Sequence, residues 1–128
     1  MSDKMCMTRA VMGSMVNAAG MLFGGELLSW MDELAGIAAK RFSGSDVVTV
    51  SVDQVSFVKP IPLGAFLDLE AQVTKVGNTS MEISLEAWMD EREPSGTRRT
   101  GRVLAAKGTF VYVAVDAEGR PKKVNHHE

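Results

Sequence analysis

The sequence has few of the residues that build disulfides, metal sites and histidine-based catalysis. Cys6 is the only cysteine among 128 residues, so the chain forms no internal disulfide and gives no indication of an oxidising compartment. The two histidines, His126 and His127, are adjacent in a polar tail. This placement excludes an internal Ser-His-Asp or Cys-His arrangement and leaves no spaced set of zinc ligands. We therefore expect neither a metal nor a separate cofactor.

An excess of charge and long apolar runs are also missing. Fourteen Lys and Arg against sixteen Asp and Glu give a net charge of −2, too balanced to predict a surface for nucleic acid or anionic membrane. No segment approaches the ~20 apolar residues of a membrane span, and residues 1–9 lack the apolar core of a signal peptide. The composition, 45% hydrophobic and 23% charged, is typical of a globular protein. We expect one cytoplasmic domain over residues 1–128.

One segment, residues 24–41, has the periodicity of an amphipathic helix. Glu26 at its start and Lys40 near its end complement the helix dipole, and Gly44 is placed to end it. The apolar positions recur at 3.6-residue spacing; they are Leu27, Leu28, Met31, Leu34, Ala35 and Ala38.

Alternation with period two predicts four strands after the helix, joined in sequence by hairpins, and an irregular edge strand lies within residues 1–15. The parity of the apolar positions slips near Gln54, which indicates a β-bulge. Residues 90–101 are predicted to be a polar connection, and residues from about 117 to 128 an irregular tail. The inward rows are expected at Val48, Val50 and Val52; at Leu67, Leu69, Ala71 and Val73; and at Met81, Ile83, Leu85 and Ala87.

One helix covers one face of one sheet, so the fold class is α+β with an antiparallel sheet wrapped around the helix. The last strand is nearly continuously apolar over residues 110–115, as expected when both faces are covered. A partner surface is therefore expected, and we predict a homo-oligomer.

Gly24 and Gly25 are the first chemical candidates, because they fall where the helix begins. A helix N-terminus has unpaired N–H donors and partial positive charge, and it suits a carbonyl oxygen that becomes negative during a reaction. The alternative is that the two glycines only permit a tight turn into the helix.

Asp32 is the second candidate, since it lies at the margin of the apolar stripe. Gly36, one turn later, is expected to leave the adjacent groove uncovered. A carboxylate there is expected to be a base with a raised pKa or a structural acceptor, and an ordinary surface aspartate is the alternative. Lys59 and the turn at residues 77–80 are weaker candidates for contacting an anionic ligand, with plain turn chemistry as the alternative.

Several motifs together resemble one family. The run Asn17-x-x-Gly20-x-x-Phe23-Gly24-Gly25, then Trp30-Met31-Asp32, is similar to the signature of the hotdog-fold acyl-CoA thioesterases of the YciA and cytosolic acyl-CoA hydrolase type. The likeness extends over residues 8–124; it includes Val47 to Asp53, Phe57-Val58-Lys59-Pro60, Gly77 to Met81, Glu86-Ala87-Trp88, Phe110 to Asp116 and Gly119-Arg120-Pro121.

The resemblance implies a hotdog fold whose dimers form one continuous sheet, often assembled as trimers of dimers. It also implies an active site between subunits, with Asn17 of one facing Asp32 of the other. Acyl-CoA is the implied substrate, and coenzyme A enters only as part of it. The implied contacts of its CoA portion are Lys59, Gly77, Thr79, Ser80 and Arg120. The acyl chain is expected beside some of Leu28, Met31, Val50 and Val52.

A thioester suits a site without histidine, because its thiolate leaving group needs little acid assistance. Asp32 is expected to act as general base on water or to attack directly, with Asn17 orienting and the N–H of Gly25, or second Gly24, holding the oxyanion. Two alternatives remain. A hotdog dehydratase requires an internal histidine, and a non-catalytic acyl-CoA-sensing module requires no chemistry at all.

Overall fold

A computed structural model describes residues 3–92 and 98–124 as one long helix, five strands and a short 3₁₀ turn at Gly13–Met15. The order is β1 (Met5–Ala10), α1 (Gly24–Ser43), β2 (Asp46–Phe57), β3 (Phe66–Val76), β4 (Ser80–Arg92) and β5 (Arg99–Val115).

Helix α1 confirms the predicted helix and runs two residues further. Gly44 ends it in the left-handed conformation, with φ of 65°, and donates its N–H to the carbonyl of Lys40 at 2.8 Å. Glu26 lies in the first turn and Arg41 in the last, as the helix dipole favours. The apolar stripe packs on one face of the sheet, and Met31 and Ala35 are completely buried there.

The sheet is antiparallel, with strand order β1-β3-β4-β5-β2. The prediction that all neighbouring strands form hairpins was wrong for β2, which pairs with β5 and not with β3. Pro60 and Pro62 follow the end of β2 and cannot donate to a strand ladder. The connecting residues instead pass the start of α1, where Leu22 donates its N–H to the carbonyl of Ile61 at 2.8 Å.

Strands β3 and β4 confirm the predicted alternation. Their inward side chains face α1, and the exposed fraction of each is 1% or less. These side chains are Leu67, Leu69, Ala71 and Val73 on β3, and Met81, Ile83, Leu85 and Ala87 on β4.

Strand β2 differs from its prediction. Val48, Val50 and Val52 are 47%, 54% and 40% exposed, so they do not form one half-buried row. The pairing shifts between Thr49 and Ser51, which puts Val48 and Val52 on opposite faces. A second shift follows Asp53. The predicted bulge near Gln54 is thus confirmed, and Gln54 itself has a φ of 53°.

The remaining boundaries also need correction. The polar connection predicted over residues 90–101 is shorter, because β4 continues to Arg92 and β5 begins at Arg99; residues 93–97 lie outside the described part. Strand β1 is regular and pairs with β3 at the sheet edge. Part of the tail packs on the fold, since Val124 is 3% exposed. His126 and His127 lie outside the described residues.

Candidate active site

The start of α1 is exposed at its two glycines. Gly24 and Gly25 are both exposed, and the preceding residue, Phe23, provides no side-chain cap to the first N–H groups. A Cβ built on Gly25 would meet nothing within 4 Å, whereas one on Gly24 would lie 3.5 Å from the Phe57 ring. The first N–H groups of a helix have no partners within it. An oxygen atom can therefore approach Gly25 without steric hindrance.

Asn17 lies in a tight loop that leads to this helix start. Its Oδ1 accepts the backbone N–H of Ala19 at 2.9 Å and that of Met21 at 3.1 Å. Gly20 allows the loop to close, with a φ of 78°. Because the oxygen is used within the loop, the Nδ2 amide is the end of this exposed side chain that can meet a ligand.

A cavity of about 350 Å³ opens beside the helix start. Gly24 and Lys59 contribute to its wall, and the rest of the lining is apolar: Met21, Leu22, Leu27, Phe57, Pro60 and Ile61. Met31, one of the four side chains from which the lining of the acyl groove was expected, is completely buried in the core and does not line it.

Asp32 lies eight residues into α1 and is half-buried. Its Oδ1 accepts a hydrogen bond from the Thr49 hydroxyl at 3.1 Å. The Tyr112 hydroxyl donates to the backbone carbonyl of Asp32 at 2.6 Å and to the same Oδ1. The groove expected beside Gly36 is not empty. The Tyr112 ring fills it, and a Cβ on Gly36 would lie 3.5 Å from that ring.

The pKa of Tyr112 is raised well above its ordinary value of 10.0. Burial is the main cause, because it disfavours the phenolate, and the hydrogen bond to Asp32 adds to it. A hydrogen bond with Thr49 acts in the opposite direction. The phenol therefore remains protonated, and a donor, at any neutral pH.

The predicted residues fall into two groups on one chain. Asn17, Gly24, Gly25 and Lys59 surround the start of α1. Asp32 is seven residues beyond Gly25, which is about 10 Å along the helix axis. One thioester cannot reach both within a single copy of the chain.

The turn at residues 77–80 lies beside the same part of β5 as Tyr112, which contacts Asp32. Ser80 pairs with Val113, next to Tyr112, whereas the N–H of Lys59 bonds to Ala105 at 3.1 Å. Those two positions on β5 are about 25 Å apart. The structure therefore does not bring Lys59 to Gly77, Thr79 and Ser80 within one chain.

Arg120 lies near this turn but is engaged locally. Its Nε is 3.6 Å from Oδ2 of Asp116, and its Nη2 is 3.6 Å from Oε2 of Glu118. The side chain is 73% exposed, so it remains accessible to an anion that competes with these carboxylates. The turn itself is ordered, since Gly77 donates its N–H to the carbonyl of Ser80 at 2.8 Å.

Sequence reasoning missed Thr49 and Tyr112. Thr49 was assigned to the outward side of an alternating strand, and the bulge reverses that assignment. Tyr112 is the only tyrosine of the chain and carries the one hydroxyl in the apolar run at residues 110–115. A buried tyrosine hydroxyl needs a partner, and that requirement was the available signal.

Two tests for other classes of protein are negative over residues 3–92 and 98–124. No group of three His, Cys, Asp or Glu side chains there is arranged to hold a metal ion. None of the described helices has the length and hydropathy to cross a membrane.

Comparison with known proteins agrees with the geometry. A family model described as Thioesterase superfamily matches residues 19–95. The chain belongs to this superfamily. The acyl-CoA thioester hydrolase YciA of Salmonella typhimurium is 39% identical over 108 residues, which cover 83% of this chain and 78% of YciA.

Solved thioesterases have the same fold. The acyl-CoA hydrolase of Staphylococcus aureus, in complex with butyryl coenzyme A, coenzyme A and coenzyme A disulfide, has a TM-score of 0.86 at 36% identity, covering 96% of this chain and 72% of that one. Structures also exist of its variants with an asparagine, an aspartate or a threonine changed to alanine. A hexameric hotdog fold thioesterase of Campylobacter jejuni has a TM-score of 0.84 at 30% identity, covering 93% and 88%. The predicted α+β hotdog fold is confirmed.

Proposed function

We propose that this protein is an acyl-CoA thioesterase, which hydrolyses acyl-CoA to a free carboxylic acid and coenzyme A. One observation supports it most directly. An anchored, half-buried carboxylate, Asp32, and an open helix start at Gly25 lie on the same helix, two turns apart. Base and oxyanion donor are both present, but only two copies of the chain can place them on one thioester.

Strand β2 provides the surface for such an assembly. It is a 12-residue edge strand with exposed valines, and an edge of this length and composition is a template for pairing with another chain. Pairing of two β2 edges extends the sheet across the dimer. The helix start of one copy then meets Asp32 of the other. Hexameric relatives support further assembly into a trimer of dimers.

The reaction follows from these groups. A carboxylate oxygen of Asp32 takes a proton from water while the hydroxide adds to the thioester carbonyl. The N–H of Gly25 in the other copy stabilises the negative oxygen, and by analogy with other sites one such donor contributes about 10²–10³ in rate. Asn17 orients the carbonyl or the water through Nδ2. Collapse of the adduct expels the coenzyme A thiolate, which recovers the proton from Asp32. Direct attack by Asp32, giving an anhydride that water then cleaves, uses the same groups.

The substrate spans both groups of residues. The cavity at the helix start accepts an apolar portion of the substrate, and Lys59 at its wall offers a positive charge to the coenzyme A portion. Across the subunit boundary, the turn at residues 77–80 and Arg120 are the further contacts for its polar groups. Coenzyme A is required only as part of the substrate.

The Staphylococcus aureus variants support the choice of residues. The asparagine, the aspartate and the threonine altered in that hydrolase follow one another at the same two intervals as Asn17, Asp32 and Thr49 do in this chain. The third of these is the residue that donates to Asp32.

The decisive experiment replaces Asp32 with Asn. We expect thiol release from short, medium and long acyl-CoAs to fall by about 10²–10⁴-fold, because the amide can neither accept the proton nor attack. Binding of coenzyme A, measured by calorimetry, should persist. Asp46→Asn is the matched control, since that carboxylate is 71% exposed and forms a surface ion pair with Lys40 at 3.2 Å.

Two results would contradict the proposal. Hydrolysis near the wild-type rate by Asp32→Asn would remove Asp32 from the mechanism. Acyl-CoA binding without any thiol release by the wild-type protein would instead favour a sensing module.

A further inference from the structure

The buried phenol of Tyr112 has no role in the reaction just described, yet it meets the reacting side chain. It comes from β5, on the sheet, while Asp32 comes from α1. Its hydroxyl donates to the backbone carbonyl of Asp32 at 2.6 Å and to Oδ1 of the carboxylate. Tyr112 is 3% exposed, so bulk water does not compete for this hydroxyl.

Two features of the fold place the phenol there. The ring packs against α1 at Gly36, where a Cβ would lie at an ordinary contact distance of 3.5 Å from both Cε2 and the hydroxyl oxygen. Thr49 and Tyr112 are directly paired across β2 and β5. Their side chains therefore lie on the same face and reach the carboxylate side by side.

The two oxygens of the Asp32 carboxylate have different environments. Oδ1 receives the hydroxyls of Thr49 and Tyr112. None of the hydrogen bonds recorded within residues 3–92 and 98–124 ends on Oδ2. An oxygen with two donors holds its electron pairs more tightly than one with none, so the two oxygens differ in basicity.

We propose that Tyr112 is a positioning residue that, with Thr49, anchors Oδ1 and thereby assigns Oδ2 as the oxygen that reacts. This inference rests on the proposed thioesterase function. Water gives a proton to Oδ2 while the water oxygen bonds to the carbonyl carbon of the thioester. Oδ2 then returns that proton to the departing thiolate. If Asp32 attacks directly, Oδ2 forms the bond.

The phenol suits this task better than a group that titrates near neutrality. Burial and the hydrogen bond to Asp32 raise the pKa of Tyr112. Its hydroxyl therefore stays protonated, and a donor to Oδ1, throughout the neutral pH range. The aromatic ring also packs against α1 at Gly36, which holds the hydroxyl in place beside Asp32.

Tyr112→Phe tests the inference, since it removes one oxygen and keeps the ring. We expect kcat to fall about 10- to 100-fold through loss of one hydrogen bond to a charged group, with KM for acyl-CoA changed less than about threefold. A purely structural role would lower the amount of folded enzyme and leave kcat per folded molecule unchanged.

Thr109→Val is the matched control. Thr109 is on the same strand and partly buried, and its partners Asp53 and Ser84 lie on the outer sheet face. This variant should retain the wild-type kcat and the wild-type KM.

A measurement on the unaltered protein covers the case in which Tyr112→Phe does not fold. Tyr112 is the only tyrosine, so the ultraviolet absorbance of phenolate reports on it alone. In native protein the phenolate should appear far above pH 10, and in denatured protein near the ordinary value. A native phenol that ionises near the ordinary value overturns the inference.

The outcomes separate the two proposals. If wild type hydrolyses acyl-CoA and Asp32→Asn does not, while Tyr112→Phe keeps the wild-type kcat, the anchoring role is wrong and the proposed function stands. If wild type hydrolyses no acyl-CoA, the proposed function itself fails.

Discussion

Strands β3 and β2 have similar alternating sequences but opposite surroundings. The inward side chains of β3 are 1% exposed or less, whereas the three valines of β2 are at least 40% exposed. Strand β3 lies inside the sheet under α1, whereas β2 lies at the edge with one neighbour and changes register after Thr49, so its valines do not share one face. Alternation thus predicts a strand, but it predicts neither the place of the strand in the sheet nor the continuity of its apolar row.

The same comparison separates stability from chemistry. The β3–β4 half contains closely packed aliphatic side chains that are buried within the one chain. The half near β2 and β5 contains two register shifts in β2. It also contains Thr49 and Tyr112, whose hydroxyls contact the Asp32 carboxylate. In the proposed function, the half with β2 is the one that pairs with a second copy and the one that holds the reacting carboxylate.

The largest effect on stability should come from identical substitutions in the two halves. Val73→Ala removes a side chain that is 1% exposed and should lower the free energy of unfolding by about 2–3 kcal/mol through lost burial and a cavity. Val48→Ala, at 47% exposure, should cost less than about 0.5 kcal/mol in dilute protein. Urea unfolding at low protein concentration measures the free energy of unfolding of both variants. Equal losses would show that the edge is as well packed as the centre.

A charge at the β2 edge should weaken assembly more than folding. Val50→Lys places an ammonium on the most exposed of the three valines and should weaken self-association about tenfold, or about 1.4 kcal/mol. Sedimentation measures the association, and circular dichroism confirms that the protomer folds. Leu63→Lys, in a loop at 55% exposure, is the control. If both variants dissociate equally, β2 is not the specific interface.

The smallest effect should be a gain at Gly36. Gly36→Ala adds a Cβ at ordinary contact distance from Tyr112 and should stabilise the helix by about 0.5–1 kcal/mol, because glycine is a poor helix former. Gly108→Ala offers the contrast, since a Cβ there would be 3.1 Å from the Val55 side chain. Thermal unfolding should show a higher melting temperature for the first only. A loss at Gly36 would show that its surroundings cannot adjust.

The sequence was sufficient where structure depends on local spacing. The helix, its end at Gly44 and the buried rows of β3 and β4 follow from periodicity and backbone preference alone. The place of β2 did not follow, because pairing with β5 is set by a crossing connection and not by any pattern within β2.

The candidate site was predictable in its residue types and not in its geometry. Asp32 and Gly25 stand out by their positions on the helix. The contact of Tyr112 with Asp32 joins residues 80 positions apart, and it depends on strand order and on the bulge near Thr49. No local pattern contains that information.

The two helical turns between Gly25 and Asp32 have a consequence for mixtures of unlike chains. In the proposed dimer, each centre takes Asp32 from one chain, and Asn17 with the N–H of Gly25 from the other. A chain altered only at Asp32 and a chain altered only at Asn17 are then each defective at both centres when paired with copies of themselves. Combined in one dimer, they leave one centre with Asp32 and Asn17 both unaltered, so a mixture of the two variants should recover activity that neither has alone.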